Sequence, residues 1–345
     1  MTPQEVKLIP EIIRVFSFAA GSFILSMAVT PIYTYFAYKY KWWRRPRTEA
    51  VDSKSASVYY SMHAEKHERG IPTMVGFFVL IPAIIILTLI FNLDRSQTYL
   101  PLFTLAVFSV MGAIDDYMNV TGLADKTGGH RAITQIIAVL SLSSVGAWWF
   151  YSKLGWSIIH IPAWGNLEIG WLYIPLFVLV IFSSAKSVGI TDGLDGLSGG
   201  LLSSAYFAYA TIAFFQGNLG IAAFCATVIG VLLAYTWFNI YPARFFMGNS
   251  GAVPLGATLG VIAMLTNSVF VLPIIGFLFF VESGSSAIQL LSKRFRGKKI
   301  FLSAPIHHHF EAIGWPETKV TMRFWIIGGV MAVLGIVIGL LGRGL

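Results

Sequence analysis

The stretch WLYIPLFVLVIFSSAKSV (171–188), followed at once by GITDGLDG (189–196), decides what kind of molecule this chain is. Its first part comes close to the roughly 20 apolar residues that cross a bilayer. Its second part sets two carboxylates and two glycines at the end of that run. Asp192 and Asp195 are three apart, so on a helical turn both project to one side, and Gly193 and Gly196 let backbone or ligand come close. One reading is a polar site for a cation or phosphate at the membrane surface. The other is a helix start, with Asp192 as cap and Asp195 in the first turn, where the dipole favours an acid.

Composition agrees with the first part. Hydrophobic residues make up 56% of the 345 and charged residues 12%, whereas soluble domains carry about a quarter charged. The chain therefore reads as an all-α polytopic membrane protein, one transmembrane domain over 1–345. Apolar runs fall at 12–36, 72–91, 99–114, 132–151, 171–188, 197–215, 219–238, 253–265, 269–291 and 324–341, giving about ten transmembrane helices. The first is too long for a cleaved signal peptide and has no basic region before it. Cys225 is the only cysteine, which excludes a disulfide within the chain and argues against a thiolate metal site.

Orientation follows from the basic residues. If the loop after the first run is cytoplasmic, 19 of the 24 lysines and arginines lie on that side and 5 on the other. That is a positive-inside pattern with both termini outside. The net charge of +8 is thereby explained by cytoplasmic loops and calls for no nucleic acid. The same parity puts Asp115-Asp116, Asp192/Asp195, the 239–250 loop and His307-His308-His309 on the cytoplasmic face. Across the membrane, 157–161 and 167–169 around Pro162 and Gly165 suggest a small hairpin.

Each cluster has its own chemistry. Adjacent residues diverge by about 100° on a helix, so Asp115 and Asp116 do not share one face; one suits a metal, the other a proton. Carboxylates at a span's edge are costly and usually functional. Phe245-Phe246-Met247-Gly248-Asn249 looks like a close-approach turn with an aromatic able to stack on a planar ring. Three consecutive histidines do not converge easily on one ion and suit phosphate or sugar better. Glu282 is the lone acid within an apolar run. Packed near Ser283, Ser285 and Ser286, it reads as a helix–helix contact, and without a charged path across the midplane a transporter is disfavoured.

Taken together, Pro72-Thr73-Met74, Asp115-Asp116-Tyr117, TDGLDG at 191–196, Trp237-Phe238-Asn239 with Pro242-Ala243, Phe246-Met247-Gly248, Ala304 to His309 and Gly314-Trp315-Pro316-Glu317 resemble the phospho-N-acetylmuramoyl-pentapeptide transferases, within the polyprenyl-phosphate N-acetylhexosamine-1-phosphate transferases. The match runs from about Arg69 to Phe324. The histidine triplet resembles the muramoyl-pentapeptide branch in particular. The resemblance implies Mg²⁺-dependent transfer of phospho-MurNAc-pentapeptide from UDP to undecaprenyl phosphate, giving lipid I and UMP. It implies a multi-pass protein of the bacterial inner membrane, in contact with membrane lipid and with room for a homodimer.

By position, Asp115, Asp116 and Asp192 would be catalytic. Thr73, Arg131, Lys186, Asp195, Asn239, Phe246, Gln289, His307, His308 and His309 would bind substrate, with Phe246 on uracil and Gln289 at the uridine side. Asn249, Asp192 and Asp116 would hold the metal. Three departures stand out. The family has Asp where this chain has Asn249. Its NAVNLTDG reads KSVGITDG at 186–193, losing two asparagines and gaining Lys186. Glu68 replaces a basic residue and Val75 a glycine. Two further readings follow: a non-catalytic lipid- and nucleotide-binding homologue, and a transferase for a UDP-N-acetylglucosamine-type donor.

Overall fold

The computed structural model describes residues 3–43, 70–94, 96–123 and 129–341, the side chains at 3–7 and 129–132 excepted. The protein is an all-α polytopic membrane protein. Each apolar run named above forms helix: α1 Pro3–Lys39, α2 Gly76–Phe91, α3 Tyr99–Thr121, α4 Gly129–Leu154, α5 Tyr173–Thr191, α6 Leu197–Phe215, α7 Leu219–Asn239, α8 Asn249–Leu265, α9 Val269–Ile275, α10 Phe277–Arg296 and α12 Glu317–Leu340. Between the last two lies a short helix, α11 Ile306–Ala312. Among the described residues seven helices are long and apolar enough to cross a membrane, and eight if α9 and α10 count as one broken span.

That break corrects the straight span expected over 269–291. The chain turns by 79° between α9 and α10, at Gly276. Gly276 ends one helix and opens the next without a side-chain cap, and glycine is the residue that costs least at such a junction. α10 leaves the bundle with Leu290, Leu291 and Phe295 exposed and Lys293, Arg294 and Arg296 in its last turn.

The core is organised around α8. This helix is apolar all round, which marks a buried rather than a surface helix, and every residue from Ser250 to Leu265 is buried. It packs between α3 and α5; α7 packs on α1 and α6, α6 on α12, and α5 on α4 and α10. Apolar surface gains little from leaving lipid for protein, so close backbone approach has to supply the contact. Small residues allow it: a Cβ on Gly256 would lie 2.6 Å from the Ser184 carbonyl of α5.

The expected hairpin is present. β1 Ile158–Ile161 and β2 Gly165–Glu168 pair antiparallel, Ile159 opposite Leu167. The His160 N–H donates to Asn267 Oδ1 at 2.8 Å, which ties the hairpin to the far end of α8. Trp164 and Trp171 stand exposed there. The opposite ends of α3 and α5 carry Asp115-Asp116 and Asp192, and those of α7 and α8 carry Asn239 and Asn249.

Candidate active site

The site is built on the N-terminus of α8. Approaching it, the Phe246 N–H donates to the Pro72 carbonyl at 2.8 Å and the Gly76 N–H to the Met247 carbonyl at 3.1 Å. The segment containing Thr73 is thereby laid along the turn. Tyr33 Oη holds that segment from α1 through the Thr73 carbonyl at 2.6 Å. Gly248 has φ 79°, and a Cβ on it would lie 2.4 Å from Asp116 Oδ2 and 2.8 Å from Thr73 Oγ1. Both the backbone conformation and the lack of space require glycine.

Asp115 and Asp116 are buried and both reach the same turn of α8. Asp116 Oδ2 accepts the Ser250 N–H at 2.9 Å. Asp115 Oδ2 accepts the Asn249 side-chain amide in a short hydrogen bond. The two diverge as helix neighbours do, yet both engage α8. They differ in direction by a helical step, but α3 and α8 approach so closely that one residue finds Asn249 and the next finds Ser250. A Cβ on Gly112 would fall 2.3 Å from the Asn249 carbonyl, and Ser109 Oγ donates to the Ser250 carbonyl at 3.1 Å. A helix N-terminus presents unpaired N–H groups and a positive dipole end, which favours carboxylates there.

Lys186 belongs to the same neighbourhood. Asp115 lies within its electrostatic reach, and its Nζ donates to Gln135 Oε1 at 3.3 Å. An ammonium has three donors, so one long neutral hydrogen bond leaves most of its capacity open. Thr73 Oγ1 is buried with no hydrogen-bond partner.

The 191–196 turn forms the second half. Asp192 ends α5, and Ser198 Oγ in the first turn of α6 donates to its Oδ1. On the other side, Tyr235 Oη accepts the Met247 N–H at 3.1 Å, and Asp192 lies within its electrostatic reach. Asp195 does something different. Its Oδ2 accepts the Ala243 N–H at 2.9 Å while its own N–H donates to Glu317 at 2.6 Å. Asn239 takes the Gly196 N–H at 2.8 Å and gives its amide to the Phe245 carbonyl at 2.8 Å. These two residues hold the turns together.

The histidines fan out as the triplet's spacing suggested. His307 Nδ1 meets Glu282 at 2.7 Å, His308 Nδ1 meets Glu311 at 2.6 Å, and His309 Nδ1 accepts the Leu302 N–H at 3.3 Å. A Cβ on Gly193 would lie 2.6 Å from His307 Nε2, so the triplet and the 191–196 turn are neighbours. Gln289 is committed to backbone: its Oε1 accepts from Ile300 and Phe301 and its Nε2 donates to the Phe301 carbonyl. Phe246 is half-buried. Its neighbour Phe245 is the packed ring, against Tyr33, Tyr235 and Phe238. The Arg131 side chain lies outside the described residues, as do Arg69 and Glu68.

Sequence reasoning quoted Glu317 only within a motif, without a role, and missed Ser198 and the partner of Glu282. Only Glu282 carried a signal, as a lone acid in an apolar run.

The donor set suits a magnesium ion that arrives with phosphate. Mg²⁺ keeps waters and takes one or two carboxylates beside phosphate oxygens, and Asp115 and Asp116 with the Asn249 amide and the unpartnered Thr73 hydroxyl offer that much. Among the described residues no three His, Cys, Asp or Glu close on a common point, so the ion's remaining ligands fall to substrate and water.

Sequence comparison now bears on this arrangement. The model of glycosyl transferase family 4 matches residues 98–267. The phospho-N-acetylmuramoyl-pentapeptide-transferase of Chloroflexus aurantiacus is 36% identical over 348 residues, covering 97% of this chain and 92% of the relative. Its counterpart in Geobacillus thermodenitrificans is 33% identical over 337 residues, covering 95% and 98%.

The chain belongs to the phospho-N-acetylmuramoyl-pentapeptide transferase family.

The glycosyl transferase family 4 match spans α3 to α8 and so includes Asp115, Asp116, Lys186, the 191–196 turn and Asn249. Thr73 and the histidine triplet lie outside it, in the regions that only the long alignments to phospho-N-acetylmuramoyl-pentapeptide transferases cover.

Proposed function

We propose that this protein transfers phospho-N-acetylmuramoyl-pentapeptide from its UDP conjugate to undecaprenyl phosphate, yielding lipid I and UMP. The observation that carries the reading is the convergence of Thr73, Asp115, Asp116 and Asn249 on one turn of α8, with the 191–196 turn tied to the approach to that turn through Asn239 and His307 lying against Gly193. In the reaction, an oxygen of the lipid phosphate bonds to the sugar-bearing phosphorus and the bond from that phosphorus to the UMP oxygen breaks. Nucleophile and electrophile are both anionic, so catalysis is largely positioning and charge neutralisation.

Asp116, fixed by Ser250, orients the lipid phosphate and takes its proton; Asp115 supports it through Asn249. Mg²⁺, when bound, would supply neutralisation of the diphosphate, and Asp116, Asn249 and Asp192 are the residues that would hold it. Lys186 adds a fixed cation on the Asp115 side. Thr73 Oγ1 supplies a donor, Phe246 a stacking face for uracil, and His307, His308 and Arg131 meet phosphate or sugar. Gln289, Asp195 and Asn239 act through the loops they hold.

The setting is the cytoplasmic membrane of a bacterium, crossed ten times, with both termini outside and this site on the inner face. The two shorter helices α2 and α8 and the broken α9–α10 pair bring the seven long helices to ten. Exposed tryptophans at the hairpin end and the cations of α10 at the other support that orientation. Mixing both substrates with Mg²⁺ and following UMP tests the transfer.

One observation favours a second reading. Asn249 puts a neutral amide against Asp115, which suits a homologue that keeps both substrates without transferring. Such a protein binds UDP but releases no UMP.

A further inference from the structure

Glu282 and His307 are both completely buried, with Glu282 Oε2 and His307 Nδ1 2.7 Å apart. Burying an ionisable pair in a membrane bundle is costly unless geometry compensates, and here it compensates by half. The other oxygen of Glu282 and the other nitrogen of His307 have no hydrogen-bond partner. The pair is held from two directions. Ser187 of α5 donates to Ser283, next to Glu282, at 2.9 Å, and the Ile306 N–H donates to Ser285 of α10 at 2.9 Å. The His307 ring packs edge-on against the His308 ring, centroids 4.1 Å apart, and its Nε2 faces the backbone of Gly193, where a Cβ would sit 2.6 Å away.

We propose that Glu282 is a positioning residue of the transfer site, which fixes the tautomer and direction of His307. The inference rests on the reading that His307 belongs to that site. With the carboxylate ionised and the ring neutral, the carboxylate accepts, so the shared hydrogen resides on Nδ1 and Nε2 is left as a lone-pair acceptor. That acceptor faces the turn that carries Asp192, behind Gly193, which has no side chain to keep a ligand away. Its partner is a hydroxyl or N–H of the sugar-peptide donor bound at that turn. Glu282 never touches substrate; it acts through the ring.

Histidine labelled with ¹⁵N in the full-length, lipid-embedded protein provides the test, because the imidazole nitrogen shifts distinguish the two tautomers. The wild type shows His307 as the Nδ1–H form. Glu282→Ala loses that signature, and kcat falls roughly ten- to hundredfold, the usual effect of removing a residue that orients a functional histidine. Glu282→Gln, which still offers an acceptor, restores both. A wild-type Nε2–H tautomer, or Glu282→Ala with the signature intact, overturns the proposal. So does a lost signature with unchanged turnover. If the wild type itself releases no UMP, the functional reading fails, while the spectrum and the affinity for UDP still decide whether Glu282 orients His307. UDP binding and thermal melting of each variant separate misfolding from these outcomes.

Discussion

Asn249 gives its side-chain amide to Asp115, so the residue that opens α8 neutralises nothing and instead occupies one oxygen of a buried carboxylate. An amide satisfies Asp115 without adding charge. A carboxylate in its place stands against a like charge, worth roughly 4 kcal/mol at 4 Å and an effective dielectric near 20. A cation relieves that repulsion. Asn249→Asp is therefore expected to melt earlier than the wild type without divalent ions, to gain more stability from Mg²⁺, and to release UMP at lower Mg²⁺. Melting curves with and without Mg²⁺ check it; equal curves for the two proteins contradict it.

Lys186 sits in a membrane-spanning helix with one long hydrogen bond to Gln135 and no ion pair to a described residue. In the proposed transfer its charge meets an incoming anion. Lys186→Met is expected to weaken UDP binding roughly ten- to hundredfold, the size of one charged hydrogen bond, and to raise the Mg²⁺ needed for half-maximal turnover. Titration of UDP by calorimetry reads the first effect. Unchanged affinity would place Lys186 outside the substrate site.

Gly112 is where α3 touches the opening of α8, with no room for a methyl group beside the Asn249 carbonyl. Gly112→Ala has to push the two helices apart and is expected to cost about 1–3 kcal/mol. Activity should fall further than stability, because Asp115 and Asp116 move relative to Asn249 and Ser250. Chemical denaturation alongside UMP release measures both; full activity in the variant counts against the geometry.

Asp195 was read from the sequence as a substrate contact, and the structure gives its carboxylate to the Ala243 N–H. Asp195→Ala leaves that buried donor unpaired, at about 1–3 kcal/mol. The expected result is a lower melting temperature, while UDP affinity in the folded fraction changes little. A large loss of affinity at unchanged stability would return Asp195 to the substrate.

The differing fates of these residues show what one dimension of sequence can hold. Apolar length predicted every helix but the short α11, because crossing a bilayer is a local requirement. Gly276 escaped notice, since a hydrophobic run does not reveal where it bends. The TDGLDG turn was recognisable as a site, yet its two aspartates look alike on paper. Only three-dimensional neighbours, Ser198 for one and Ala243 with Glu317 for the other, separate them. Gln289 is the same case: its partners at 300 and 301 become visible only once the chain folds back. Glu282 was noticed for its charge and read as a helix contact. Its bond to His307, 25 residues on, depends on the return of the chain from α10 to α11, where the Ile306 N–H meets Ser285.

The most direct test of the whole account is UMP release by the purified protein in lipid, given UDP-MurNAc-pentapeptide, undecaprenyl phosphate and Mg²⁺. The account predicts stoichiometric UMP and lipid I, abolished by EDTA and by Asp116→Asn. Well-folded protein that binds UDP and releases no UMP from this donor contradicts it.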